Sequence, residues 1–151
     1  MNGYDAAVIQ ADLGQVVKID SPAAGAGIVK YKYGANEFWQ IRALSFQLVT
    51  SSTVASRIVY LDLLDGAGNR IGRFSAGFTQ TASLTTVYTF GVNMNAYGAN
   101  AAASIGAPIP ELWLHPGCSF TIGVTAIDTG DQISAVNMTV NQVFAGSYPD
   151  S

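Results

Sequence analysis

"SRIVYLDLLDGAGNRIGRF", residues 56–74, decides the fold class. Its two apolar runs, 58–64 and 71–74, are joined by Asp65, Gly66, Ala67, Gly68 and Asn69, which supply turn geometry and positive-φ positions. The stretch reads as a β-hairpin, and its neighbours repeat the period of two. Upstream, "WQIRALSFQLVTS" (39–51) sets Trp39 and Ile41 against Gln40 and Arg42, then changes phase so that Leu44, Phe46 and Leu48 oppose Ser45 and Gln47. A slip of one residue turns every later side chain to the other face, so a bulge is expected near Ala43.

Working further outward, Val16 to Ile19 is a short apolar run closed by the loop "DSPAAGAG" (20–27). In "IVKYKYG" (28–34), Val29, Tyr31 and Tyr33 then alternate with Lys30 and Lys32, which predicts a strand. Downstream, "SLTTVYTFGV" (83–92) is rich in β-branched and aromatic residues and predicts another. "NMNAYGANAAASIGAPIP" (93–110) is small and polar until Pro108 and Pro110, and reads as a long loop with one turn of helix at the alanines. "ELWLHPGCSFTIGVTAI" (111–127) and "QISAVNMTVNQVF" (132–144) alternate again, each with one buried and one wet or partner-facing side, and "DTGD" (128–131) turns between them. About eight short strands with regular turn signals and no amphipathic helix predict an all-β, single-domain antiparallel sandwich or barrel. An N-terminal arm is expected over residues 1–20 and the β-sandwich over 21–151, with the strand order left open.

The bulk composition is consistent with this. At 151 residues the chain can bury roughly 70% of its unfolded surface in one core. Hydrophobic residues make up 49% and charged residues 11%, against roughly 25% charged in an ordinary domain. The surface must therefore be rich in uncharged polar groups or covered by neighbours. A net charge of −3 with dispersed Lys and Arg disfavours nucleic acid as a partner, since phosphate binding needs a concentrated positive field. No stretch reaches the about 18 apolar residues of a membrane span, and the N-terminus lacks a signal-peptide pattern. A soluble chain made in a cytoplasm, with no membrane partner, is expected.

The run "WQIRALSFQLVTSSTVASRIVYLDLLDGAGNRIGRF", followed by "TASLTTVYTF" and by "PIPELWLHPGCSFTIGVTAIDTGDQIS", resembles a group of small bacteriophage virion proteins. The resemblance rests on an aromatic-led strand, "LVTSSTVASR" (48–57), the Asp-Gly hairpin, "LWLHPG" (112–117) and "GDQIS" (130–134), and covers roughly residues 37–136. It implies a jelly-roll-like β-sandwich and a structural protein of the capsid exterior or of the tail. The head form implied is a decoration or cement protein, a homo-oligomer and by family analogy a trimer, in contact with the major capsid protein. The family pattern often has a proline where this chain has His115, which implies a histidine without an essential role.

Candidate chemistry is sparse. The only histidine, His115, stands three positions before the only cysteine, Cys118, across Pro116-Gly117. A catalytic pair needs imidazole within reach of an exposed sulfur. Free cysteine is more often a small buried hydrophobe, and the structural reading is preferred. One His and one Cys cannot make the four ligands of structural zinc. "AIDTG" (126–130) has the Asp-Thr-Gly of aspartic proteases, but "RIGRF" (70–74), which resembles a second element of that family, comes before it rather than after. Asp65 with Asn69, or Asp128 with Asp131, could offer oxygens to calcium, although neither loop has the ligand spacing of an EF-hand; turn capping is the simpler reading. No enzyme activity, cofactor or metal is expected.

Aromatic side chains support one alternative, a tail or fibre module that binds a host glycan through Trp39, Trp113, Tyr31, Tyr33, Tyr60 and Tyr88. Trp39 and Trp113 sit inside alternating apolar runs and read as core. Tyr31 and Tyr33, beside lysines, are the candidates for a surface contact.

Overall fold

The computed structural model describes residues 15–25, 29–32 and 37–144. Among them are ten strands: β1 (Gln15–Ile19), β2 (Val29–Lys32), β3 (Glu37–Val49), β4 (Arg57–Leu64), β5 (Arg70–Gln80), β6 (Thr85–Val92), β7 (Ser104–Ile109), β8 (Trp113–Leu114), β9 (Ser119–Val124) and β10 (Gln132–Phe144). No helix long and apolar enough to cross a membrane occurs among the described residues. The larger sheet runs β1-β10-β3-β6-β7, with β8 added to β3, and the smaller runs β2-β9-β4-β5. Each sheet turns one apolar side inward. The core between them takes Trp39, Ile41, Leu44, Phe46 and Leu48 from β3, Val59, Leu61 and Leu63 from β4, and Phe120, Ile122 and Val124 from β9.

The pairings are nested about the 65–69 turn. β4 pairs with β5, β3 with β6, β2 with β9 and β1 with β10. At the turn itself, one oxygen of the Asp65 carboxylate accepts from the amides of Ala67 and Asn69 at 2.9 and 2.8 Å, so a single side chain organises the loop. The expected bulge is present one residue from the predicted place. Thr139 faces Ala43 and Val140 faces Ile41, which leaves Arg42 as the extra residue of β3.

The structure corrects two expectations. Among the described residues the sandwich, with ten strands where about eight are expected, is not wholly antiparallel, because β6 and β7 run parallel from Val87 opposite Ser104 to Val92 opposite Ile109. The segment 93–110 is thus not a loop with a helical turn; it is a return loop followed by a strand. Ile105, Ala107 and Ile109 point into the core, while Pro108 is tolerated because β7 ends the sheet order and, among the described residues, its outer edge is paired only at Gly106, by an isolated bridge to Tyr97. Gly106 is required on β7, since a Cβ there would lie 2.1 Å from the Tyr97 ring.

Two buried polar groups tie the layers together. Tyr88, fully buried, donates to Gln80 Oε1 at 3.0 Å, and Gln80 Nε2 donates to the carbonyls of Leu48 and Leu84 at 2.9 and 3.1 Å. Burial pushes the Tyr88 phenol up to about 12. Arg57 and Asp131, exposed by 0% and 1%, form a two-pronged ion pair at 2.7 and 3.0 Å. The Asp131 carboxylate also accepts from the amides of Ser51 and Asp128, and Ser51 Oγ donates to Asp128 Oδ2 at 2.6 Å. This network clasps the 51–57 loop to the 128–131 turn. A buried pair of this kind is costly to break and cheap to replace whole. Asp131→Ala should therefore cost about 3–5 kcal/mol in urea unfolding, and Arg57→Met with Asp131→Leu should recover most of it.

Burial raises the Asp131 carboxyl, but the Arg57 guanidinium and the two amides outweigh burial and hold it below its ordinary value. With the folded value depressed, its contribution is complete above the unfolded value near ~4 and fades as pH falls through the folded one. Urea midpoints should fall on acidification below about pH 4, with a shallower fall in Asp131→Asn.

Candidate functional site

The two outer faces differ in charge. On the smaller sheet the Tyr60 ring lies over Gly123, whose Cβ would come within 2.2 Å of it. The Arg73 guanidinium sits 3.9 Å from the ring centroid and bonds Asp62 twice at 2.7 Å. The larger sheet presents four cross-strand rows over β10, β3 and β6. They are Thr139–Ala43–Gly91, Asn137–Ser45–Thr89, Ser134–Gln47–Val87 and Gln132–Val49–Thr85. None of these twelve side chains is charged.

Beyond the point where β6 ends, β8 takes over the same edge of β3. The bulge at Arg42 keeps the face in phase, so the next outer row is Asn141–Gln40–Trp113. A second row brings Val143 opposite Phe38, whose ring meets His115 edge-on at 5.6 Å. Gln40 is only 5% exposed. Its Oε1 accepts from Asn141 Nδ2 at 3.1 Å and from Arg42 Nη1 at 3.4 Å, and Arg42 Nη1 also bonds Glu111 at 2.8 Å. Beneath this corner a cavity of about 10 Å³, lined by Ile41, Leu61, Leu63, Ile109, Pro110, Leu112 and Leu114, is too small for more than one water.

Trp113 is 42% exposed, which corrects its expected place in the core, whereas Trp39 is buried as expected. The signal was present in the sequence. In "LWL" Leu114 points inward, so strict alternation sends Trp113 outward. Tyr88 is buried and Tyr60 lies under Arg73, so neither offers a free ring face. Of the two surface candidates, Tyr31 lies on β2 opposite Phe120 of β9, and Tyr33 lies outside the described residues.

His115 and Cys118 are parted by the fold. The Cys118 amide donates to the His115 carbonyl at 3.2 Å across the Pro116-Gly117 turn, where Gly117 has a φ of +83°. Cys118 then enters the core ahead of Phe120, while His115 stays exposed against Phe38. The Asp-Thr-Gly loop is a structural corner. The Ser51 hydroxyl and the Gly130 amide hold the Asp128 carboxyl below its ordinary value, and Asp131 is committed to Arg57. Sequence reasoning missed this network because its members are separated by 74 to 80 residues.

No protein-family model matches the chain, and no curated protein matches it. Solved structures do. One, of the infectious bursal disease virus Gx strain, has a TM-score of 0.43 at 16% identity over 91% of this chain and 34% of that one. A crystal structure of the T13 particle of the same virus gives 0.38 at 10% identity, over 91% and 33%. Its VP2 subviral particle gives 0.34 at 13% identity, over 91% and 35%. The chain thus spans about a third of the length of the chains it matches.

The two tryptophans make the corner measurable. Acrylamide should quench one accessible and one protected component of the fluorescence, and Trp113→Phe should remove the accessible one. A thiol reagent should leave Cys118 unmodified until the protein is unfolded.

Proposed function

We propose that this chain is a bacteriophage virion structural protein, a decoration or cement module on the head exterior. In this reading the nested pairing is a jelly-roll winding, and the protein associates with copies of itself, as a trimer, and with the major capsid protein. The observation that carries the reading is the uncharged outer face over β10, β3 and β6, with Lys18 of β1 at its margin opposite Asn137. Burying a charged group without a partner costs several kcal/mol, whereas hydroxyls and amides can exchange water for a neighbour's polar groups at little net cost. A face of Ser45, Gln47, Thr89, Asn137 and Thr139 is thus suited to being covered. A contact of ordinary size removes about 1,600 Å² from water, and many such contacts held at once gain by avidity. The resemblance of "LVTSSTVASR" and "LWLHPG" to phage virion proteins supports the same reading.

A second reading, a tail or fibre module that binds a host glycan, draws support from the exposed indole of Trp113. Density for the chain on head faces of an intact particle favours the first, and density at the tail favours the second.

Self-association is tested by sedimentation. The wild-type protein should run as an oligomer, and Gln47→Lys should shift it to monomer with little change in melting temperature. Ser75→Lys, on the smaller sheet, should leave the oligomer intact. A monomeric wild type, or an oligomer indifferent to Gln47→Lys, would contradict the proposal.

A further inference from the structure

Gln40 is a buried amide with half of its hydrogen bonding unmade. Its Oε1 accepts from Asn141 Nδ2 and from Arg42 Nη1, and Arg42, which can only donate, sets which end of the amide is oxygen. Its Nε2, with two N–H groups, has no partner among the described residues. A buried donor left in this state is unfavourable, and native structures seldom retain one without a use for it. In register beside it stands Trp113, 42% exposed on a two-residue strand that β3 holds in place. On the other side, Asn141 offers an Oδ1 that likewise accepts from no described group. The charges of Arg42 and Glu111 neutralise each other at 2.8 Å.

The row therefore combines an apolar plane, an unmet donor, an unmet acceptor and no net charge. A ligand that fits this row has a C–H face to lie on the indole and a rim of hydroxyls that both accept and donate. Among the described residues the row offers an anion no unpaired cation, and a purely apolar group would leave Gln40 unsatisfied. We propose that Asn141, Gln40 and Trp113 form a binding site for one pyranose ring of a neutral saccharide. The ring stacks on Trp113, one hydroxyl accepts from Gln40 Nε2, and another donates to Asn141 Oδ1. The proposal shares its ligand class with the tail-module reading and rests on it only in that respect. The site lies beyond the four uncharged rows, so its failure would leave self-association through them untouched.

The test is a titration of the full chain, followed through the Trp113 indole and Gln40 amide signals in ¹H–¹⁵N spectra. The probes are the methyl glycosides of glucose, galactose, mannose and N-acetylglucosamine. At least one should move both signals saturably. Trp113→Ala and Gln40→Leu should each abolish the effect, and Gln47→Lys should preserve it. If Trp113→Ala fails to fold, Gln40→Leu, which fills the same space without the donor, still decides. The proposal is overturned if no glycoside moves the two signals, or if the shifts survive in Gln40→Leu. It is also overturned if the Trp113 signal responds to protein concentration instead of sugar, which would mark the corner as a protein contact.

Discussion

Everything in this sandwich depends on the extra residue at Arg42. β3 must bury Trp39 and Ile41 in the same core as Leu44, Phe46 and Leu48, and an uninterrupted strand cannot do so with that sequence. Making Arg42 a bulge restores the phase. β10 carries its own extra residue near Ala135, where φ is +51°, so Ile133 shares an inner face with Val136, Met138 and Val140. The two long strands thus stay paired over almost their whole length. The same correction governs the outside, because it keeps Gln40, Ser45 and Gln47 on one surface.

Charge is partitioned just as sharply. Three of the four arginines are in ion pairs, with Glu111, Asp131 and Asp62. One pair is buried and clasps two loops, one braces the smaller sheet across Tyr60, and one neutralises the corner beside Trp113. What is left over β10, β3 and β6 is hydroxyl, amide and small apolar groups, with Lys18 of β1 at the margin opposite Asn137. Low charge content in the sequence thus becomes, in the fold, one face that is inexpensive to cover.

Local pattern was legible; long-range pairing was not. The 65–69 turn, the strand over 132–144 and the bulge beside Ala43 follow from periodicity and turn chemistry within a few residues of each feature. β7 escaped because Gly106 and Pro108 weaken its alternation, and its parallel partner comes from a return loop that no local rule specifies. Of the candidate surface residues, Tyr31 and Tyr33 rest on adjacency to lysines, a weak criterion, while Trp113 reads as core from its place inside an alternating apolar run. Its phase against Leu114 held the better answer. The Arg57–Asp131 pair had no sequence signal, since two ordinary charged residues 74 positions apart carry none.

The central claim is that the uncharged rows over β10, β3 and β6 are the surface that assembly covers. An electron-density map of the protein on its intact particle tests it most directly. The account predicts Ser45, Gln47 and Thr89 packed against a neighbouring chain, with Arg73 and Asp62 of the smaller sheet turned to solvent. A map with the larger sheet bare and the Arg73–Asp62 face seated on the neighbour would contradict it.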